Sequence, residues 1–108
     1  MWLLNIRLLF IGALEYEKGL DIITQLSSLL DSDKVEFHVA GGGLLAQQVK
    51  NNRNIIYHGV VDEREKAELY RNSDVLIYPS CADTFSLVIL EALASGLYVL
   101  ADDFFKGV

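Results

Sequence analysis

Two carboxylates eight positions apart, Asp83 and Glu91, stand in the apolar stretch PSCADTFSLVILEALASG (79–96), just after the only proline of the chain. Glu91 is the only charged side chain of the apolar segment FSLVILEALASG (85–96). A helix this hydrophobic is expected to be buried on most faces. A carboxylate buried there without partners would be costly, so Glu91 should meet a cleft, a cation or donor hydroxyls. The competing reading is an acid at the solvent edge of the helix. Asp83 precedes that helix and suits an N-cap, since aspartate accepts from the exposed N–H groups of a first turn. The same carboxylate could instead accept from ligand hydroxyls, while the N–H groups of Thr84, Phe85 and Ser86 hold an anion.

Lys18, in the segment EKG, sits where a helix begins. A cation there opposes the helix dipole, so a bound phosphate explains it better than local stability does, although a lone surface lysine is commonplace. The triplet Gly41–Gly43 fits neither the dinucleotide pattern G-x-G-x-x-G nor the Walker loop, and reads as a tight strand-to-helix turn. His38 and His58 fall on strands without partners nearby in sequence and read as structural. Cys81 has no base placed to activate it, and one cysteine excludes an intrachain disulfide.

The elements that must carry these residues alternate. IRLLFIG (6–12), VEFHVAG (35–41), NIIYHGV (54–60), VLIYPS (75–80) and YVLAD (98–102) read as strands. KGLDIITQLSSLL (18–30), LLAQQVKN (44–51), DEREKAELYRNS (62–73) and the stretch 85–96 read as helices, the first with Leu20, Ile23, Leu26 and Leu29 on one face. Near-continuous apolar strands linked by helices predict an α/β domain with a parallel, Rossmann-like sheet of about five strands and helices on both faces. In such a sheet ligands sit beyond the carboxyl ends of the strands where the winding reverses, which falls between the first and fourth strands if the sheet takes the common order. The turns 12–19 and 79–85 would form the lips of that crevice.

With 108 residues the chain is one domain, spanning 1–108. A net charge of −6 with nine scattered Lys and Arg argues against nucleic acid or an anionic membrane as the main partner. The opening MWLLNIRLLFIGAL lacks a leading basic segment and is interrupted at Asn5 and Arg7. It is therefore expected to be neither a signal peptide nor a transmembrane segment. No Cys/His cluster has zinc spacing. A reducing, cytoplasmic compartment is expected.

Taken together, LLFIGALEYEKGLDIITQL, VEFHVAGGG, NIIYHGVVDEREKAELYRNSDVLIYPS and DTFSLVILEALASGLYVLADD resemble the carboxy-terminal, donor-binding domain of retaining glycosyltransferases of the GT-B architecture, in the group 1 or glycogen-synthase-like family. The block with two acids eight apart is the specific part of the likeness; the glycine turn is not. The resemblance implies a metal-independent hexosyltransferase that uses no cofactor and takes a UDP-, GDP- or ADP-linked sugar as donor substrate. Glu91 would bind the ribose hydroxyls and Asp83 the donor sugar. The backbone of Thr84, Phe85, Ser86 and Leu87 would line the sugar and phosphate site, with Gly12 and Ala13 on the facing turn. Lys18 would bind the diphosphate and stabilise its developing charge. The acceptor, a saccharide or lipid, would be held by a missing amino-terminal domain, which makes the chain a fragment of a two-domain enzyme and inactive alone; the parent could lie peripherally on a membrane. Ala13 stands where the family has an arginine, Asp83 where it has glutamate, and Thr84-Phe85-Ser86 where it has small residues. The alternative is a non-catalytic nucleotide-binding module or a degenerate glycosyltransferase. A dehydrogenase is disfavoured by the absent glycine fingerprint.

Overall fold

The computed structural model describes residues 5–15, 20–31, 33–78 and 87–101. Five strands, β1 (Ile6–Ile11), β2 (Val35–Ala40), β3 (Ile55–Tyr57), β4 (Val75–Tyr78) and β5 (Tyr98–Ala101), alternate with four helices, α1 (Leu20–Leu29), α2 (Ala46–Lys50), α3 (Glu63–Asn72) and α4 (Leu87–Ala94). The strands form one sheet in the order β3-β2-β1-β4-β5, every neighbouring pair parallel. The winding reverses between β1 and β4, where the common strand order puts it.

The pleat of each strand feeds two cores. On one face Phe10, Phe37, Val39, Ile55 and Ile77 meet Ile23 of α1 and Val49 of α2. On the other, Leu9, Ile11, Ala40, Leu76 and Tyr78 meet Tyr70 of α3 and Ala92 of α4. Helices thus cover both faces, which is why β4, and β1 beyond Arg7, can be apolar. Leu9, Leu14, Ile23 and Leu76 are wholly buried.

Two expectations are corrected. The third strand, read as 54–60, pairs only over Ile55–Tyr57, because Gly59 turns the backbone at φ 76°. The last helix is not buried on most faces: Leu87, Leu90 and Leu93 are exposed. Only one stripe, Val88, Ile89 and Ala92, meets the sheet, since a helix laid on a sheet offers it a single face.

Asp62 starts α3 by accepting from the Glu65 N–H at 2.8 Å, and the Glu65 carboxylate accepts the Asp62 N–H at 3.1 Å. This reciprocal capping box defines where the chain leaving β3 becomes helical. The far end of α3 returns to the amino edge of the sheet, where the Arg7 N–H donates to Asp74 Oδ2 at 2.9 Å.

Candidate active-site crevice

Beyond the carboxyl ends of β1 and β2, three backbone segments are laced together. The Gly12 N–H donates to Ala40 O at 3.1 Å, Leu14 N–H to Gly42 O at 3.0 Å, and Leu45 N–H back to Leu14 O at 3.0 Å. Gly41 N–H reaches Gly59 O at 2.8 Å, and the Tyr57 hydroxyl donates to Gly41 O. The approach needs glycine: a Cβ on Gly41 would overlap Gly12 O, and φ there is 141°. The glycine triplet is therefore a strand-to-helix turn, as its sequence suggests, and it braces the Gly12–Ala13–Leu14 lip of the crevice.

α4 supplies the other side. It follows β4 in the chain, and Glu91 stands one turn in from its first residue, Leu87. Its Oε1 accepts from the Tyr70 hydroxyl at 3.0 Å and pairs with Lys66 Nζ at 3.4 Å. Lys66 also pairs with Glu63 at 2.9 Å. These groups line a groove of about 260 Å³ between α3 and α4, together with Ala67, Ala94 and Ser95. Glu91 thus meets both a cation and a donor hydroxyl, two of the environments expected of it, while its side chain stays 36% exposed. The Tyr70 phenol is pushed above the usual tyrosine range by burial, then by the adjacent Glu91 carboxylate. The Lys66 ammonium is raised by its bond to Glu63 despite partial desolvation.

Of the other residues singled out from the sequence, Gly12 and Ala13 lie on the lip, half-buried, and Leu87 opens α4, exposed. Lys18, Asp83, Thr84, Phe85 and Ser86 lie outside the described residues, as do Cys81 and most of both lip turns, 16–19 and 79–86. Among the described residues no group of three or more His, Cys, Asp or Glu could hold a metal ion, and no helix is long and apolar enough to cross a membrane.

One cluster escapes sequence reasoning. His38 and His58 stack with ring centroids 5.1 Å apart, and His38 Nδ1 lies 2.8 Å from His58 Nε2. His38 Nε2 lies 2.9 Å from Glu36 Oε1, which also meets Arg7 Nε at 3.2 Å. A carboxylate only accepts, so His38 Nε2 carries a proton and, in the neutral ring, Nδ1 accepts from His58 Nε2–H. Burial and the neighbouring His38 hold His58 below the ordinary histidine range. Bonds from His38 and Asn5 hold Glu36 low. The cluster borders a second cleft of about 240 Å³ under α3, lined also by Glu65, Glu68 and Asn72. Only the pairing of β2 with β3, which sets His38 opposite Ile56, brings the two histidines within reach.

Sheet order, two-faced helical cover and a crevice at the β1/β4 reversal define a Rossmann-like α/β domain. The profile described as Glycosyl transferases group 1 matches residues 5–108, and the chain belongs to that family. It is 34% identical over 95 residues to the GDP-mannose-dependent alpha-mannosyltransferase of Mycobacterium tuberculosis, covering 87% of this chain and 24% of that protein. It is 32% identical over 103 residues to the alpha-monoglucosyldiacylglycerol synthase of Streptococcus pneumoniae, covering 87% and 23%. The chain spans about a quarter of the length of the curated relatives it matches. Among solved structures, the catalytic domain of cholesterol-alpha-glucosyltransferase from Helicobacter pylori superposes with a TM-score of 0.77 at 14% identity, covering 90% of this chain and 64% of that one. Anabaena HepE in complex with UDP-glucose gives a TM-score of 0.72 at 22% identity, covering 90% and 29%. The architecture is that of GT-B glycosyltransferase structures.

Proposed function

We propose that this chain is the donor-binding, carboxy-terminal domain of a cytoplasmic, retaining glycosyltransferase that moves a hexose from a sugar nucleotide to a saccharide or lipid acceptor. The observation that carries the reading is Glu91: a partly exposed carboxylate on an otherwise apolar helix, accepting from the Tyr70 hydroxyl and paired with Lys66. In this reading it accepts from the ribose hydroxyls. Asp83 accepts from the donor sugar, and Leu87 with Thr84, Phe85 and Ser86 lines the sugar and phosphate site. Gly12 and Ala13 bound the opposite lip. Lys18 binds the diphosphate and stabilises its charge as the glycosidic bond breaks, so the step needs no metal. The acceptor is held by a second domain, and the 108 residues alone bind donor without turnover. That GDP-mannose, UDP-glucose and a glucosylated diacylglycerol are named among the relatives and structural neighbours supports the reading.

Ala13, in the place of an arginine, favours a second reading: a module that binds nucleotide without catalysis. Calorimetric titration with UDP, GDP and ADP, each with its sugar conjugate, tests both. Binding that Glu91→Ala weakens at least tenfold supports the donor site, and binding indifferent to Glu91 overturns it. Glycosyl transfer by the parent enzyme, absent or present, then decides between module and catalyst.

A further inference from the structure

Glu91 does not stand alone in its groove. Tyr70 presents its hydroxyl at 3.0 Å from a ring that is almost wholly buried in the α3–α4 core. Lys66 is held on its other side by Glu63 at 2.9 Å, with only 20% of its side chain exposed. Both contacts fall on the same oxygen, Oε1; the second oxygen takes part in neither. A glutamate side chain on a helix surface samples several rotamers, and ordering it costs free energy. A buried phenol and an anchored ammonium on one oxygen remove that freedom before any ligand arrives.

Resting on the donor-site reading above, we propose that Tyr70 and Lys66 are positioning residues: they fix Oε1 of Glu91 so that Oε2 is presented to the vicinal diol of a nucleotide ribose. A mere staple between α3 and α4 is a poorer account of these residue types. Apolar side chains would join the helices without drawing two charges partly out of water, and Leu69 of α3 and Val88 and Ile89 of α4 already pack on one shared core. The arrangement also explains why Glu91 sits opposite the first turns of α3: the capping box at Asp62 and Glu65 fixes where that helix starts, and so where Lys66 and Tyr70 stand.

The test compares binding of UDP, GDP and ADP with that of their 2′-deoxyribose counterparts by calorimetry, alongside thermal unfolding. It uses the full chain and the variants Tyr70→Phe, Lys66→Met and Glu91→Gln. Tyr70→Phe keeps the buried ring and Lys66→Met keeps the stem, so both should fold. The expected result is a preference for ribose that Glu91→Gln abolishes and that each α3 substitution lowers by about three- to tenfold. The same α3 substitutions should add nothing in the Glu91→Gln background. If Glu91→Gln abolishes the preference while Tyr70→Phe and Lys66→Met leave it at the wild-type value, lowering only the melting temperature, the pair is a staple and the positioning role is overturned. If Glu91→Gln itself leaves the preference unchanged, or no nucleotide binds, the donor-site reading falls and takes this one with it.

Discussion

Replacing Gly41 by alanine should damage this domain far more than replacing Gly59, although both glycines adopt positive φ. At Gly59, φ 76°, a Cβ would meet nothing within 4 Å, so the substitution carries only the cost of the left-handed backbone, about 1–2 kcal/mol. At Gly41, φ 141°, the same kind of cost is joined by overlap with Gly12 O, with the Gly12 carbonyl carbon only 3.0 Å away. The obstacle is main chain, already fixed by the Gly12 N–H bond to Ala40 O and the Gly41 N–H bond to Gly59 O, and cannot rotate aside. Overpacking of this kind adds about 1–3 kcal/mol, for a total of about 4 kcal/mol. In a domain of this size each kcal/mol moves the melting temperature by about 4–6 °C, so Gly41→Ala should lower it by roughly 16–24 °C and Gly59→Ala by about 4–12 °C. Circular dichroism melts of the two variants against wild type decide the matter. Equal losses would refute the claim that β1 and the glycine turn are in forced contact.

Three further outcomes are expected. His58 is held below its unfolded value near 6.5, so the unfolded chain binds more protons; this share of stability is present above pH 6.5 and is lost as pH falls through the folded value. Urea midpoints should therefore drop between pH 7.5 and 5.5, and less steeply in His58→Gln; parallel curves would exclude the histidine pair as the cause. Asp62→Ala removes one arm of the capping box and should cost about 1 kcal/mol, or about 4–6 °C in a thermal melt. Ala13→Arg places a cation on the lip where the diphosphate is proposed to lie, and should tighten nucleoside diphosphate binding severalfold at low salt, with the gain shrinking as ionic strength rises. An unchanged dissociation constant would place the diphosphate elsewhere.

The fold was legible because its signals are local and repeated. Apolar runs such as IRLLFI and VLIY can be buried on both sides only under helices, and the alternation of elements then leaves few topologies for a parallel sheet. The third strand is shorter than its sequence suggests because NIIYHGV ends on another β-branched residue, Val60, while pairing stops at Tyr57 and the backbone turns at Gly59. The exposure of Leu87, Leu90 and Leu93 was hidden for a related reason: hydrophobicity around a whole helix does not say which side finds a neighbour. Within the site, Glu91 announced itself as a lone acid in an apolar segment, but its partners did not. Lys66 and Tyr70 read as ordinary members of a charged helix until α3 is laid beside α4. The same holds for His38 and His58, twenty residues apart, whose meeting depends on strand register rather than on any motif.

The place of β1 in the middle of the sheet has a consequence for how the crevice comes into being. β1, β2 and β3 are joined in sequence through α1 and α2, whereas β4 reaches β1 only across 67 residues, as the Arg7–Asp74 bond measures. Closing a loop of that length costs somewhat more entropy than the shorter closure of β1 on β2. The Gly12–Leu14 lip belongs to the first half and α4 with Glu91 to the second, so neither half alone presents the crevice. A nucleotide that bridged them would strengthen the contact with the longest span in sequence, and so would hold the two halves together as well as fill the crevice.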